Sequence, residues 1–186
     1  MSDQPPPDLE AASASLSDPA PPGRLSYDLP MPRDTAAELP TRVHSRGQVL
    51  ARIDRQLAVC RRFQQPLVVL SIAVDGIGIS NGRPVPDRLA GVALEFGRRL
   101  RMRVRATDSV LWPGGREFVV LLADSHRDGL ATVQGRLAAA LGGPYRLGPD
   151  LLDVTLVLGS AWFPGHADSA AELLRLAESS RQPVPS

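Results

Sequence analysis

The chain is expected to fold as an α/β domain, with a central mixed β-sheet flanked by helices, and three observations carry that expectation. The run LVVLSIAV (67–74) is continuous, apolar and rich in β-branched residues, as a strand covered on both faces requires. Just before it, Val49, Leu50, Ile53, Leu57 and Cys60 recur at the spacing of one helical face. Residues 110–122, VLWPGGREFVVLL, set two apolar runs around Pro113-Gly114-Gly115-Arg116, the pattern of a β-hairpin with a glycine turn. Helices alternating with strands build layers of helix on sheet.

Taken in order, the chain opens with a segment that cannot support a packed core. Half of its 18 prolines fall in the first 40 residues, among Ala, Ser and Asp. Residues 1–40 are therefore expected to be a disordered, proline-rich acidic tail, and 41–182 the folded domain. The stretch SYDLPMPRD (26–34) reads as a solvated linker or as a docking peptide presenting Tyr27, Leu29 and Met31. A helix is expected over 46–62, then the buried strand 67–74. The turn-rich stretch DGIGISNGRPVPD (75–87) leads to a second helix whose stripe is Leu89, Val92 or Ala93, Phe96 and Leu100. Arg98, Arg99, Arg101, Arg103 and Arg105 crowd the C-terminal half of that helix, where cations complement the helix dipole. The hairpin follows, then a helix over 128–141, a strand in DVTLVLGSAW (153–162) and a last helix over 169–180.

Charge and composition bound the function. Residues 1–41 carry seven acids against Arg24 and Arg33, so the segment is −5, and the chain's net +1 leaves +6 on the remainder. Every basic side chain is arginine and none is lysine, which suits planar, bidentate contacts with phosphates and guanine edges. Nucleic acid is not expected as a partner, because only 4% of residues are aromatic and no stacking pattern or recognition motif is present. No apolar run approaches the roughly 20 residues of a membrane span. MSDQPPPDLE lacks the basic and apolar regions of a signal peptide, so a cytoplasmic protein is expected. Cys60 is the single cysteine and lies in an apolar helical register, the position of a packed thiol rather than a nucleophile.

The hairpin raises a question its turn does not answer, namely why an arginine stands at the tip. GGREF, at Gly114, Gly115, Arg116, Glu117 and Phe118, resembles the signature loop of the GGDEF domain of diguanylate cyclases, which join two GTP molecules into cyclic di-GMP. The flanking DSVLW and FVVLLAD, the strand VTLVLGSA (154–161) and ELPTRVHSR (38–46) stand in the family's order and spacing. The resemblance covers about 38–181 and implies a nucleotide-cyclase-like palm fold.

It also implies where the family's chemistry would reside. Two carboxylates hold magnesium in the family, and their positions here are Ala73 and Arg116. Mg²⁺ needs hard oxygen ligands, and a guanidinium in place of a carboxylate changes the local charge by two units. At about 4 Å and an effective dielectric near 20, each unit acts with about 4 kcal/mol on a monovalent cation, and with more on Mg²⁺. No metal or other cofactor is expected, and Asp75 reads as a turn residue. Of the guanine-reading pair, Asn81 remains, equally readable as a turn with Gly82, and the Asp position is Ala90. The basic C-terminal segment that holds the triphosphate is replaced by AESSRQPVPS (177–186), with the last strand expected to be missing. Glu117 is expected to hydrogen-bond within the hairpin.

The family's inhibitory product site, RxxD, is present as Arg105-Ala106-Thr107-Asp108, with Asp108 six residues before Gly114. A further arginine from the next helix completes such sites, and Arg136 occupies the matching position. In a surface this rich in arginine, Arg105 also arises readily by chance; Arg136 does not. The leading expectation is a catalytically inactive GGDEF domain that binds cyclic di-GMP through Arg105, Asp108 and Arg136 and passes the signal to an unidentified protein partner. The alternatives are a ligand-free interaction scaffold with the same fold and, third, a residual cyclase.

Overall fold

The computed structural model describes residues 42–79 and 89–184, so the expected tail and Asn81 lie outside the described residues. Among the described residues four α-helices and six strands follow one another: α1 (Arg46–Phe63), β1 (Leu67–Ile79), α2 (Leu89–Arg103), β2 (Ser109–Gly114), β3 (Glu117–Ala123), α3 (Leu130–Leu141, preceded by a short 3-10 helix at Arg127–Gly129), β4 (Gly143–Leu147), β5 (Asp150–Phe163), α4 (Ala170–Ser179) and β6 (Gln182–Pro183). The sheet order is β2-β3-β1-β5-β4, with β6 pairing the same outer edge of β5 as β4.

The layered α/β architecture is as the sequence predicts, but the sheet is antiparallel rather than mixed. Each strand pair runs antiparallel, and the parallel contact is the isolated bridge Val43–Trp112. Hairpins and long returns, not strand-helix-strand crossovers between neighbours, connect the paired strands, which is why alternation of helix and strand along the sequence overstates the parallel content. The bridge covers the free edge of β2: the His44 N–H donates to the Trp112 carbonyl at 2.7 Å, and the Trp112 N–H donates to His44 Nδ1 at 3.2 Å. An edge so covered offers less unpaired backbone to a foreign strand.

Period-two alternation along β1 divides the core. Val68, Leu70, Ile72 and Val74 face α2 and α3 with Phe96, Leu100, Phe118, Leu137, Leu141 and Tyr145. Leu67 and Val69 face α1 and α4 with Val49, Ile53, Leu57, Leu173, Leu174 and Ala177. Phe96 is fully buried, its ring 4.8 Å from that of Phe118 and 6.3 Å from that of Tyr145. Truncating so buried an aromatic costs about 3–5 kcal/mol. Cys60 is buried in the α1 layer as a free thiol, and burial pushes its pKa up, away from nucleophilic use. Ser45 caps α1 through a reciprocal capping box with Gln48.

Two elements differ from the sequence reading. β1 does not stop at Val74 but continues through a bulge between Val74 and Gly76 to Ile79, pairing with Leu152–Thr155 of the long β5. Asp75 is therefore an exposed bulge residue rather than a turn residue. β4 was not predicted, since Gly142-Gly143-Pro144 reads as loop punctuation. Its anchor is Tyr145, whose buried hydroxyl donates to the Leu141 carbonyl at 2.6 Å. Burial lifts that phenol to about 12, against the opposing influence of Arg99 stacked 3.8 Å over the ring.

Candidate functional site

The Gly-Gly hairpin closes one end of the sheet beside the central strand. Gly114 and Gly115 have φ of 115° and 57°, the left-handed side of the map that glycine enters without steric cost. The turn aligns Glu117 with Ala73 in the ladder, and the Val74 N–H donates to the Arg116 carbonyl at 3.0 Å. Arg116 is exposed and its guanidinium makes no hydrogen bond or ion pair among the described residues. Alternation puts Ser71 and Ala73 on the α1/α4 face, across from Val119 and Glu117 on β3 and from Gly159 and Val157 on β5.

Onto this face comes a residue that sequence reasoning did not single out. Arg181, just past α4, donates to Glu117 Oε1 at 2.8 Å and, through Nε and Nη2, to the fully buried Ser71 hydroxyl at 3.1 and 2.7 Å. Gly159 makes the approach possible: a Cβ there would lie 2.1 Å from the Ala177 carbonyl oxygen and 2.7 Å from the Arg181 nitrogen. The Ser160 N–H donates to Ser180 Oγ at 2.9 Å and turns the chain back onto β5, where β6 forms. A short last strand is thus present where none was expected. Glu117, expected to bond within the hairpin, instead pairs with Arg181, because the Ala73–Glu117 register faces its carboxylate toward α4 rather than back along the turn. Beside it, Arg46 and Glu178 join the ends of α1 and α4 through two contacts of 2.9 and 3.1 Å, and Glu178 raises the Arg46 pKa further.

Chemically, this end holds a methyl group at position 73 and guanidinium groups from Arg116 and Arg181. Apart from the Glu117 carboxylate, which Arg181 pairs, those are not the hard oxygen donors that magnesium takes. Among the described residues no group of three or more His, Cys, Asp or Glu side chains is placed to hold a metal ion. Ala90, at the start of α2, is exposed.

Arg105, Asp108 and Arg136 lie at the C-terminal end of α2. Residues 105–108 form a tight turn, with the Asp108 N–H donating to the Arg105 carbonyl at 3.1 Å. Arg105 is exposed, and Arg136 reaches from α3 to the Arg103 carbonyl at 3.5 Å, which brings both arginines to the same end of α2 without direct contact. Asp108 departs from its expected role. It is only 3% exposed, and its carboxylate accepts from the Arg105 N–H at 2.8 Å and the Ala123 N–H at 3.3 Å. The group expected to face a ligand faces the backbone instead, because two otherwise unpaired N–H groups converge on it. Burial raises its pKa, against the lowering influence of those two bonds and of Arg105 and Arg101.

The domain is thus an α/β layer structure, a central antiparallel sheet with helices on both faces and a Gly-Gly hairpin beside its middle strand. The family described as "Diguanylate cyclase, GGDEF domain" matches residues 38–182. The chain is 31% identical over 153 residues to the diguanylate cyclase TpbB of Pseudomonas aeruginosa, and 28% identical over 144 residues to the response regulator PleD of Caulobacter vibrioides. These matches take in 78% and 74% of this chain but 33% and 31% of those proteins, so the chain spans about a third of their length. Among solved structures, the isolated GGDEF domain of TpbB superposes with a TM-score of 0.62 at 28% identity, over 77% of this chain and 84% of that one. The GGDEF domain of DgcB from Caulobacter crescentus, solved in complex with c-di-GMP, shares the fold at a TM-score of 0.63 and 15% identity, over 80% of this chain and 86% of that one. The chain belongs to the GGDEF domain family. Among the described residues no helix is long and apolar enough to cross a membrane.

Proposed function

We propose that this GGDEF domain does not synthesise cyclic di-GMP but recognises it, and that it relays the signal to a protein partner. The observation that carries the first half is the Arg181 bridge. Where the family needs carboxylates for magnesium, this chain has Ala73 and Arg116, and its own arginine is bound between Ser71 and the signature carboxylate Glu117. A guanidinium held there opposes divalent-cation entry by charge and by volume. No metal or cofactor is assigned to the domain.

The second half rests on Arg105 and Arg136, both exposed at one end of α2. Two phosphates and the acceptor edges of guanine are what such forks bind. Asp108 holds the turn that presents Arg105 rather than touching the ligand. Its inward carboxylate is also the observation that favours the second reading, a ligand-free scaffold. Calorimetric titration with cyclic di-GMP at two ionic strengths tests the proposal. Binding with a Kd of micromolar or tighter, about −8 kcal/mol or better, that weakens with salt is expected. No heat at ligand concentrations near about 100 µM, well above such a Kd, overturns the receptor reading and leaves the scaffold.

A further inference from the structure

We infer that Arg101 is the positioning residue of the ligand-binding turn, holding Arg105 in place from inside rather than contacting ligand; this rests on the receptor reading above. One guanidinium spans the turn: Arg101 Nη1 donates to the Asp108 carbonyl at 2.7 Å and Nη2 to the Arg105 carbonyl at 2.9 Å. Asp108 closes the same turn from the other side, its carboxylate on the Arg105 N–H and its own N–H on the Arg105 carbonyl. The peptide groups flanking Arg105 are thus bonded on both sides, with a cation on the carbonyls and an acid on the amide. These carbonyls follow the last turn of α2, where a helix leaves acceptors unpaired and a nearby cation is favoured.

The fork is what the geometry requires. Two carbonyls at the ends of a four-residue turn are reached together by the two terminal nitrogens of one planar group, whereas a lysine ammonium meets them only as a point charge. Arg98 and Arg99, on the same helix, are engaged elsewhere. Arg98 pairs with Glu95 at 2.7 Å, and Arg99 meets Glu95, the Pro144 carbonyl and the Tyr145 ring. Arg52 from α1 bonds the neighbouring Ser109 hydroxyl at 3.1 Å without reaching the turn carbonyls. Of the arginines in this run, Arg101 alone bonds both of those carbonyls. Holding a loop in its bound conformation before the ligand arrives removes an ordering cost from binding.

The test is a double-mutant cycle on the full chain with cyclic di-GMP as probe. Arg101→Ala and Arg101→Lys are each expected to weaken binding about tenfold or more, as loss of charge-assisted hydrogen bonds does. Arg98→Ala, which removes the same charge from the same helix, is expected to change it less than about threefold, as surface charges do. In an Arg105→Ala background the Arg101→Ala effect should vanish, because Arg101 acts through Arg105. Additive losses, or full rescue by Arg101→Lys, overturn the inference. Amide hydrogen exchange on the unliganded protein separates this outcome from failure of the receptor reading. Arg101→Ala should speed exchange at Arg105 and Asp108 while leaving the β1 amides unchanged, and unchanged exchange at the turn refutes the positioning role even if the wild-type chain binds nothing.

Discussion

Arg181 and Glu117, 64 residues apart in the chain, meet at 2.8 Å across the end of the central strand, and the same guanidinium caps the buried hydroxyl of Ser71. The contact ties the C-terminal segment to the signature hairpin with no group from outside the chain. Arg181 is 19% exposed in its side chain and Glu117 46%, so the ion pair is partly screened while the bonds to Ser71 are not.

Arg181→Ala should accordingly destabilise the domain by about 1–3 kcal/mol, chiefly through the lost bonds to Ser71. Glu117→Gln should cost about 1 kcal/mol or less, as exposed pairs do. Arg181→Lys should recover less than half of the loss, since an ammonium cannot reproduce the fork. Urea unfolding of the three variants checks the order, and a larger loss for Glu117→Gln than for Arg181→Ala would refute it.

Gly159→Ala tests the contact that lets Arg181 in. A methyl group 2.1 Å from the Ala177 carbonyl must push α4 and the following turn off the sheet. The expected cost is about 1–3 kcal/mol, typical of overpacking, with faster exchange at the Arg181 amide. Wild-type stability in this variant would mean that α4 does not seat as described.

Turnover should be absent. With GTP and Mg²⁺ or Mn²⁺ the purified chain is expected to form no cyclic di-GMP, and Arg116→Asp alone should not restore it while position 73 is alanine. Product whose formation is abolished by Glu117→Ala would establish the chain as an enzyme.

In the titration series Arg105→Ala should weaken cyclic di-GMP binding most, by about 1.5–3 kcal/mol for one charge-assisted bidentate contact. Arg136→Ala should have a smaller effect, and Arg116→Ala should alter mainly the salt dependence, being exposed at the hairpin tip. Binding indifferent to Arg105→Ala would assign the ligand to another surface.

Asp108 carries a pH signature. Because burial, the largest influence, raises its folded-state pKa, the neutral form is favoured by folding. That stabilisation is fully present below the unfolded value of about 4 and is lost as pH rises through the raised one. The stability of wild type relative to Asp108→Asn should therefore shift in favour of wild type as pH falls from about 7 to about 4, the range over which such a carboxyl takes up its proton. Denaturant titrations at the two pH values measure it, and a shift of opposite sign would mean that the backbone bonds and arginines outweigh burial.

Much of this was legible in the sequence because it is written in local periodicity. The β-branched run of β1, the apolar stripes of α1 and α2 and the Gly-Gly turn each state their structure within a few residues, and GGREF together with its flanking motifs, in their order and spacing, carries the resemblance to the family. What the tertiary structure alone decided are contacts between residues distant in the chain. The Gly-rich stretch 75–79 is strand because β5 is long enough to pair with it. Asp108 turns inward because the amide of Ala123, at the far end of β3, needs an acceptor. Arg181 is legible as an ordinary arginine after a helix until Gly159 admits it to Ser71 and Glu117. Propensity and pattern act over one or two turns of chain, whereas the partner of a buried polar group is set by which elements the sheet brings together.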